Sequence, residues 1–366
     1  MRRFGMGLLT LGLMITAASA LPVAAQMQKN AIPAPAEQPY RFKHSGLTIP
    51  ATLEGMPRKA IDQFGTDELD VFANYERGSD GITIYVYRNV SGAVPVWFDR
   101  ASASIETRRD MYGTATASGP AMAFTPPGQS VASGLMGAWS VTKSPYRGTG
   151  LALLPMGDWL VKVRYSSATL DGAGIAARLP AILAALTWPT GLAAAAPAMP
   201  IADCATPLSF PKKAKVVRDE KSNMMSGLLG GMLQSIAAQS KAGEVASDDA
   251  AAKKPATWCR DPGASPIGAA YRADASPDSY LLAFSDAGRG AWVAPDMSGL
   301  LLGKKGGTRW SVALVDMGET SNFPSLTALP RPAEVMALVQ QPAISSTRTW
   351  GDRTISINGG AMSNKR

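Results

Sequence analysis

The stretch DWLVKVRYSS at 158–167 limits what this chain can fold into more than any other segment. Trp159, Val161, Val163 and Tyr165 alternate with Leu160, Lys162 and Arg164, and side chains two residues apart share one side of a strand. The pattern predicts a strand with one face in a core and the other partly wet. Similar runs recur. LDVFANYE places Val71, Ala73 and Tyr75 together, GITIYVYR does the same with Ile82, Ile84 and Val86, and GAWSVTKSP and TGLALLP precede DWLVKVRYSS, the last two joined through Met156 and Gly157. Upstream, YRFKHSGLTIP pairs two short runs across Ser45 and Gly46. These are the marks of antiparallel strands and hairpins.

Two helices are expected among them. VPVWFDRASASIETRRDMYG has Pro95 at its start, Phe98, Ala101 and Ile105 at helical spacing, and Gly113 as its stop. Ile175, Leu179, Ile182, Leu183 and Leu186 form a second apolar stripe, with Pro180 inside it. The segment then ends at Trp188. Uncharged PTGLAAAAPAMPIAD reads as a linker.

A hairpin finishing in Pro50, two long strands, a helix bearing Trp97, the strand GDWLVKVRYSS and a closing helix to Trp188 resemble the exported PsbP/Mog1-like α/β sandwich over 40–188. The resemblance implies docking or assembly more than catalysis. It carries over no functional residue.

The second half opens at Cys204. PLSFPKKAKVV is expected to be a strand, followed after TWCRDPG by PIGAAYRAD, the hairpin SYLLAFSDAGRGAWVAPD, RWSVALVDM and ISSTRTWGDRTISIN, with one helix, PAEVMALVQQ. The expected class is therefore α+β, an antiparallel sheet with covering helices in each of two domains. About 340 residues after the leader also point to two domains. The expected division is a leader at 1–25, a flexible segment at 26–38, a first domain at 39–188, a linker at 189–203, and a second domain at 204–360 with a helical insertion at 222–256.

Location comes from the start of the chain and from cysteine usage. Arg2 and Arg3, then a short apolar run ending in small residues at Ala25, form a secretory signal peptide. The protein is expected to be periplasmic or secreted. Cys204 and Cys259, alone in the chain, are then most simply one disulfide. Removing Arg2 and Arg3 lowers the formal charge from +8 to +6 (8 − 2). A mildly basic exported chain suits anionic lipid headgroups, cell-wall polymers or an acidic protein partner better than nucleic acid.

KSNMMSGLLGGMLQSIAAQSKAG, inside the insertion, gathers Met225, Leu228, Leu229, Met232, Leu233 and Ile236 on one half of a helical wheel. Its fifteen central residues, 224–238, reach about 22 Å as a helix, short of a hydrocarbon layer of roughly 30 Å. No transmembrane helix is expected in the mature chain. The apolar half is instead a candidate contact surface, for its own domain, for a groove on an envelope protein partner, or for an anionic membrane surface reached with Lys212, Lys213, Lys215 and Arg218.

Catalytic signatures are weak. His44 is the sole histidine and sits beside a turn, where solvation is the expected role. Ser140 and Lys143 match S-x-x-K, with Arg147 to Gly150 echoing a K-T-G element, but in a strand rather than at a helix start. GLLLGKK at 299–305 falls short of a phosphate loop. Asp67, Glu68 and Asp70, and the pair Asp248 and Asp249, are expected to be solvated charge. Asn89, Val90 and Ser91 form a sequon. No cofactor or metal is expected. The function expected is non-catalytic binding in the cell envelope, assisting the assembly of another protein, with an envelope hydrolase as the alternative.

Overall fold

A computed structural model describes residues 29–217, 256–263, 268–296 and 308–358. Its first sheet begins with an edge strand, β1 (Lys29–Ala31), and a small separate hairpin, β2 (Tyr40–Arg41) with β3 (Thr48–Ile49). There follow β4 (Thr52–Leu53), β5 (Met56–Phe64), β6 (Asp70–Arg77) and β7 (Asp80–Arg88), then helices α1 (Val94–Thr107) and α2 (Arg109–Tyr112). β8 (Ala115–Ala117), β9 (Met122–Phe124), β10 (Gly134–Val141), β11 (Gly148–Met156), β12 (Trp159–Ser167) and helix α3 (Gly172–Ala184) complete this part. The strand order is β1-β5-β6-β7-β12-β11-β10-β8, with β4 on β5 and β9 on β10, antiparallel throughout.

Register sorts the side chains into two faces, because residues opposite each other across a ladder point the same way. Ile61, Ala73, Ile84, Val163, Ala152 and Met136 form one continuous row across six strands. The next row, Asp62, Phe72, Tyr85, Lys162, Leu153 and Leu135, points to the opposite face. The first face is covered by α3 and by the β2–β3 hairpin. Ile175, Leu179, Ile182 and Leu183 of α3 are buried, and a Cβ on Gly150 would stand 2.4 Å from Ile175, so only glycine lets the helix this close. Asp171 caps α3 by accepting from Gly174 N at 2.9 Å. Tyr75 donates its hydroxyl to Pro50 O at 2.7 Å, tying the hairpin down.

The second face is covered by α1 at one side, where Phe98 lies over Gly137, and by a second sheet elsewhere. That sheet comprises β13 (Ala202–Asp203), β14 (Trp258–Arg260), β15 (Ala269–Ala273), β16 (Tyr280–Ala283), β17 (Gly290–Pro295), β18 (Trp310–Val315), β19 (Glu319–Asn322), β20 (Ser345–Arg348) and β21 (Ile355–Ile357). They lie in chain order, antiparallel except for the β13–β14 pair. Its residues alternate between two cores. Ala270, Tyr280, Leu282, Ala291 and Val293 pack with Val335 and Leu338 of helix α4 (Pro332–Val339), whereas Ala269, Tyr271, Leu281 and Ala283 join the core of the first sheet.

This overturns the expected α+β class with covering helices in each of two domains. Strand makes up 39 % of the described residues and helix 14 %, with four helices among them, so the described part is mostly antiparallel sheet. The physical reason is the covering layer: β12 is buried along nearly its whole length because a second sheet, not a second helix, lies on its Lys162 side. Three smaller expectations also change. β5 has no counterpart in the sequence reading, because Pro57, Arg58, Lys59, Asp62 and Gln63 mask its alternation. PLSFPKKAKVV forms no strand beyond a single bridge from Val216 to Leu326, as its prolines remove ladder donors. Both faces of β12 are dry rather than one. The expected leader at 1–25, the expected insertion at 222–256 save its last residue, Ala256, with Met225, Leu228, Leu229, Met232, Leu233 and Ile236, Arg218, the pair Asp248 and Asp249, and GLLLGKK at 299–305 lie outside the described residues.

Candidate functional site

The residues with most chemistry lie along the seam between the two sheets. Lys162 is fully buried, and its ammonium group bonds Asp286 twice, to the backbone oxygen at 2.9 Å and to Oδ2 at 3.0 Å. Arg164 Nη1 reaches the same Oδ2 at 3.7 Å. Lys162 also lies over the rings of Tyr85 and Tyr87, 4.6 and 5.7 Å from their centroids. Asp286 arrives on the turn between β16 and β17, and that turn is held from both ends. Ser91 Oγ donates to Gly288 O at 2.8 Å, and Arg289 bonds Asp70 at 2.5 Å and Asp316 at 2.6 Å.

Charge states follow from burial and partners. Burial alone would raise the Asp286 carboxyl, but Lys162 and Arg164 outweigh it and hold the group down at about 2. Burial lowers Lys162 from the ordinary lysine range, with Asp286 opposing. Asp70 goes the other way: burial keeps its carboxyl above the usual range in spite of Arg289. Tyr87, wholly enclosed, is pushed well up by burial.

Two further clamps close the seam. Arg88 donates to Met317 O and lies over the Trp350 ring at 4.8 Å, while Trp350 also meets His44 at 5.0 Å and Trp159 at 6.1 Å. Near the disulfide, Arg260 bonds Asp203 and Asp99, both at 2.8 Å, and Tyr271 donates to Asp99 at 2.6 Å. Cys204 and Cys259 are bonded, with Cα atoms 5.0 Å apart. The bridge ties the segment after the linker to β14, so Asp203 and Arg260, each next to a bridged cysteine, face α1 as a pair.

A cleft of about 330 Å³ opens at the outer end of the seam. Its wall includes Leu69, Met317, Phe64 and Trp350, and its charged residues include Asp67, Glu319 and Arg348. Arg289 and Asp316 line it too, already paired with each other. A second hollow of about 260 Å³ lies between α1, β10 and Pro200, where Trp139 Nε1 donates to Glu106 at 3.1 Å.

The residues singled out in the sequence go to separate places. His44 is half-buried among Trp159 and Trp350 instead of standing in solvent. Ser140 Oγ accepts from Gly172 N and lies 3.2 Å from Ser118 Oγ, whereas Lys143 donates to Asp110 O, so the S-x-x-K pair serves two different contacts. Asp67, Glu68 and Asp70 diverge: Asp67 lines the cleft, Asp70 is buried under Arg289, and Glu68 takes a positive φ of 52° in the turn between them. Ser91 of the sequon is buried on Gly288. Among the described residues no group of His, Cys, Asp or Glu has metal-site spacing, and no helix is long and apolar enough to cross a membrane. Sequence reasoning missed Asp286 and Arg289. The visible signal was two cations on one side of β12 and an acid and a base in the turn SDAGRG, yet one sequence does not reveal that they meet. Comparison with protein-family models, curated proteins and solved structures finds no match for this chain.

Proposed function

We propose that the chain is an exported binding or accessory protein of the cell envelope, periplasmic or secreted, that assists assembly of another envelope protein. The observation that carries this reading is the cleft at the end of the seam. It is of ligand size, lies where two sheets meet, and combines apolar and aromatic wall with charges of both signs. The Arg348 guanidinium on its wall has no partner among the described residues. Export is supported by the disulfide and by the charged, then apolar, start of the chain. The PsbP/Mog1-like resemblance of 40–188 belongs to the same proposal, and α1 and α3 on opposite faces of one antiparallel sheet speak for it.

The test is site-specific cross-linking in intact producing cells. A photoreactive side chain at Glu319 is expected to capture one discrete protein, and the adduct should fall several-fold when Arg348→Glu is added. The same probe at exposed Arg109 should capture nothing comparable. Equal labelling from both positions, or none from Glu319, would remove the cleft as a contact site.

A further inference from the structure

Three charges on the walls of the cleft stand open. Arg289 and Asp316 close on each other at 2.6 Å, and Asp70 holds Arg289 from the buried side. Arg348, Glu319 and Asp67 also line the cleft, and all three residues are exposed. None of them has an ion pair among the described residues. The two carboxylates accept only from hydroxyl groups close by in the chain, Glu319 from Ser321 at 3.3 Å and Asp67 from Thr66 at 3.5 Å.

The two walls differ in what they offer. Glu319 of β19 and Arg348 of β20 are directly opposite in the ladder, so their side chains share one side of the sheet. Asp67 stands on the other wall, in the turn between β5 and β6. Leu69 of that turn and Met317 of the turn between β18 and β19 add apolar surface from both walls. One wall therefore presents a base beside an acid and the other a single acid, leaving one negative charge in excess.

We propose that the cleft binds a free basic α-amino acid of the lysine type. This rests on the reading of the cleft as a binding site and names what enters it. An α-amino acid carries a carboxylate and an ammonium group on one carbon, which suits neighbouring side chains of opposite charge. The carboxylate takes paired bonds from the Arg348 guanidinium, and the α-ammonium donates to Glu319. The side-chain ammonium donates to Asp67 on the other wall, while its methylene stem lies on Leu69 and Met317, as lysine stems do on apolar surface generally. The single net positive charge of such a ligand cancels the excess acid. A neutral amino acid would leave Asp67 unmet, and a diamine would leave Arg348 unmet. At about 330 Å³ the cleft has the size of a small-molecule site.

The full chain is titrated calorimetrically with lysine, with norleucine, which lacks the side-chain ammonium, and with cadaverine, which lacks the carboxylate. Saturable lysine binding is expected, with norleucine and cadaverine each weaker by about tenfold or more, since each forfeits a charge-assisted bond. Asp67→Asn should bring lysine down to norleucine without weakening norleucine. Arg348→Gln should bring lysine down to cadaverine without weakening cadaverine. Both positions are exposed, melting temperatures verify that the variants fold, and Arg109→Gln, away from the cleft, should change nothing. Absence of lysine binding, equal affinity for the three ligands, or losses that norleucine shares in Asp67→Asn and cadaverine in Arg348→Gln would overturn the proposal. Capture of a protein from Glu319 without lysine binding would overturn it and leave the accessory reading standing. Lysine binding with the expected losses but without such capture would support it and remove the accessory reading instead.

Discussion

The two faces of the first sheet are built from neighbouring rows of the same strands and held by opposite physics. Ile61, Ala73, Ile84 and Val163 lie under α3 and the β2–β3 hairpin, and burial of their apolar surface stabilises that face without directional demands. Asp62, Tyr85, Lys162 and Arg164 lie one residue away on the other face, where burial is tolerated only because Asp286 meets the cations. The lesson is that the apolar face specifies contact, whereas the charged face specifies which turn of the second sheet must sit on it. A wrong turn would leave two buried cations bare.

The largest expected effect comes from removing that turn's acid. Asp286→Ala should cost about 3–5 kcal/mol, since breaking a buried pair strands the remaining charge. Ile84→Ala on the apolar face should cost about 2–5 kcal/mol through lost transfer and a cavity. The two losses overlap in size and differ in rescue. Replacing Lys162 by Met, Arg164 by Leu and Asp286 by Leu together should restore most of the stability, because apolar groups of similar volume need no partner. Denaturant midpoints of the three variants check this. A loss under about 1 kcal/mol for Asp286→Ala would mean the cations are already hydrated and the faces are not different in kind.

How much of this was legible in the sequence depends on the face. Trp159, Val161, Val163 and Tyr165 announced a strand, and Ile175, Leu179 and Ile182 announced the helix over it, because local periodicity reports apolar burial directly. Lys162 and Arg164 looked like a wet face, since a charged residue in a strand carries no sign of a partner more than a hundred positions away. β5 was invisible for a related reason. Arg58 and Asp62 are buried there by non-local contacts, Arg58 on the carbonyls of Pro35 and Gln38 and Asp62 with Lys29. The cysteines were readable by elimination, and their bridge is present. The cleft was not readable, because Leu69, Met317 and Trp350 converge only once the two sheets are docked.

Acid should sharpen the comparison by an intermediate amount. In the fold Asp286 titrates at about 2, against an ordinary 3.8, so folding favours its ionised form. That stabilisation is whole above the ordinary value and is lost as pH falls through about 2. It amounts to about 2 kcal/mol. Asp70 has the opposite sign: its raised carboxyl means that folding favours the protonated form, so falling pH relieves a cost there. The seam should therefore weaken only in the window between 3.8 and about 2. Denaturant titrations across that window should show the loss in the native chain and a flattened dependence in Asp286→Asn. An unchanged dependence in the variant would assign acid sensitivity to other carboxylates.

The smallest effect tests whether an ion pair matters because it is ionic or because it is buried. Arg178 on α3 lies 3.4 Å from Glu54 at the rim of the apolar face, with the arginine side chain 56 % exposed. Its chemistry resembles that of Arg164 and Asp286, but water already solvates the guanidinium, so pairing gains little over hydration and the side chain loses rotamer freedom. Arg178→Ala should change stability by less than about 1 kcal/mol, and 1 M salt, where screening acts within about 3 Å, should erase the coupling to Glu54 in a double-mutant cycle. The coupling of Lys162 to Asp286 should survive the same salt, because no mobile ion reaches a fully enclosed ammonium group. If both couplings vanish together, the charged face behaves as surface, and the contrast between the two faces reduces to composition.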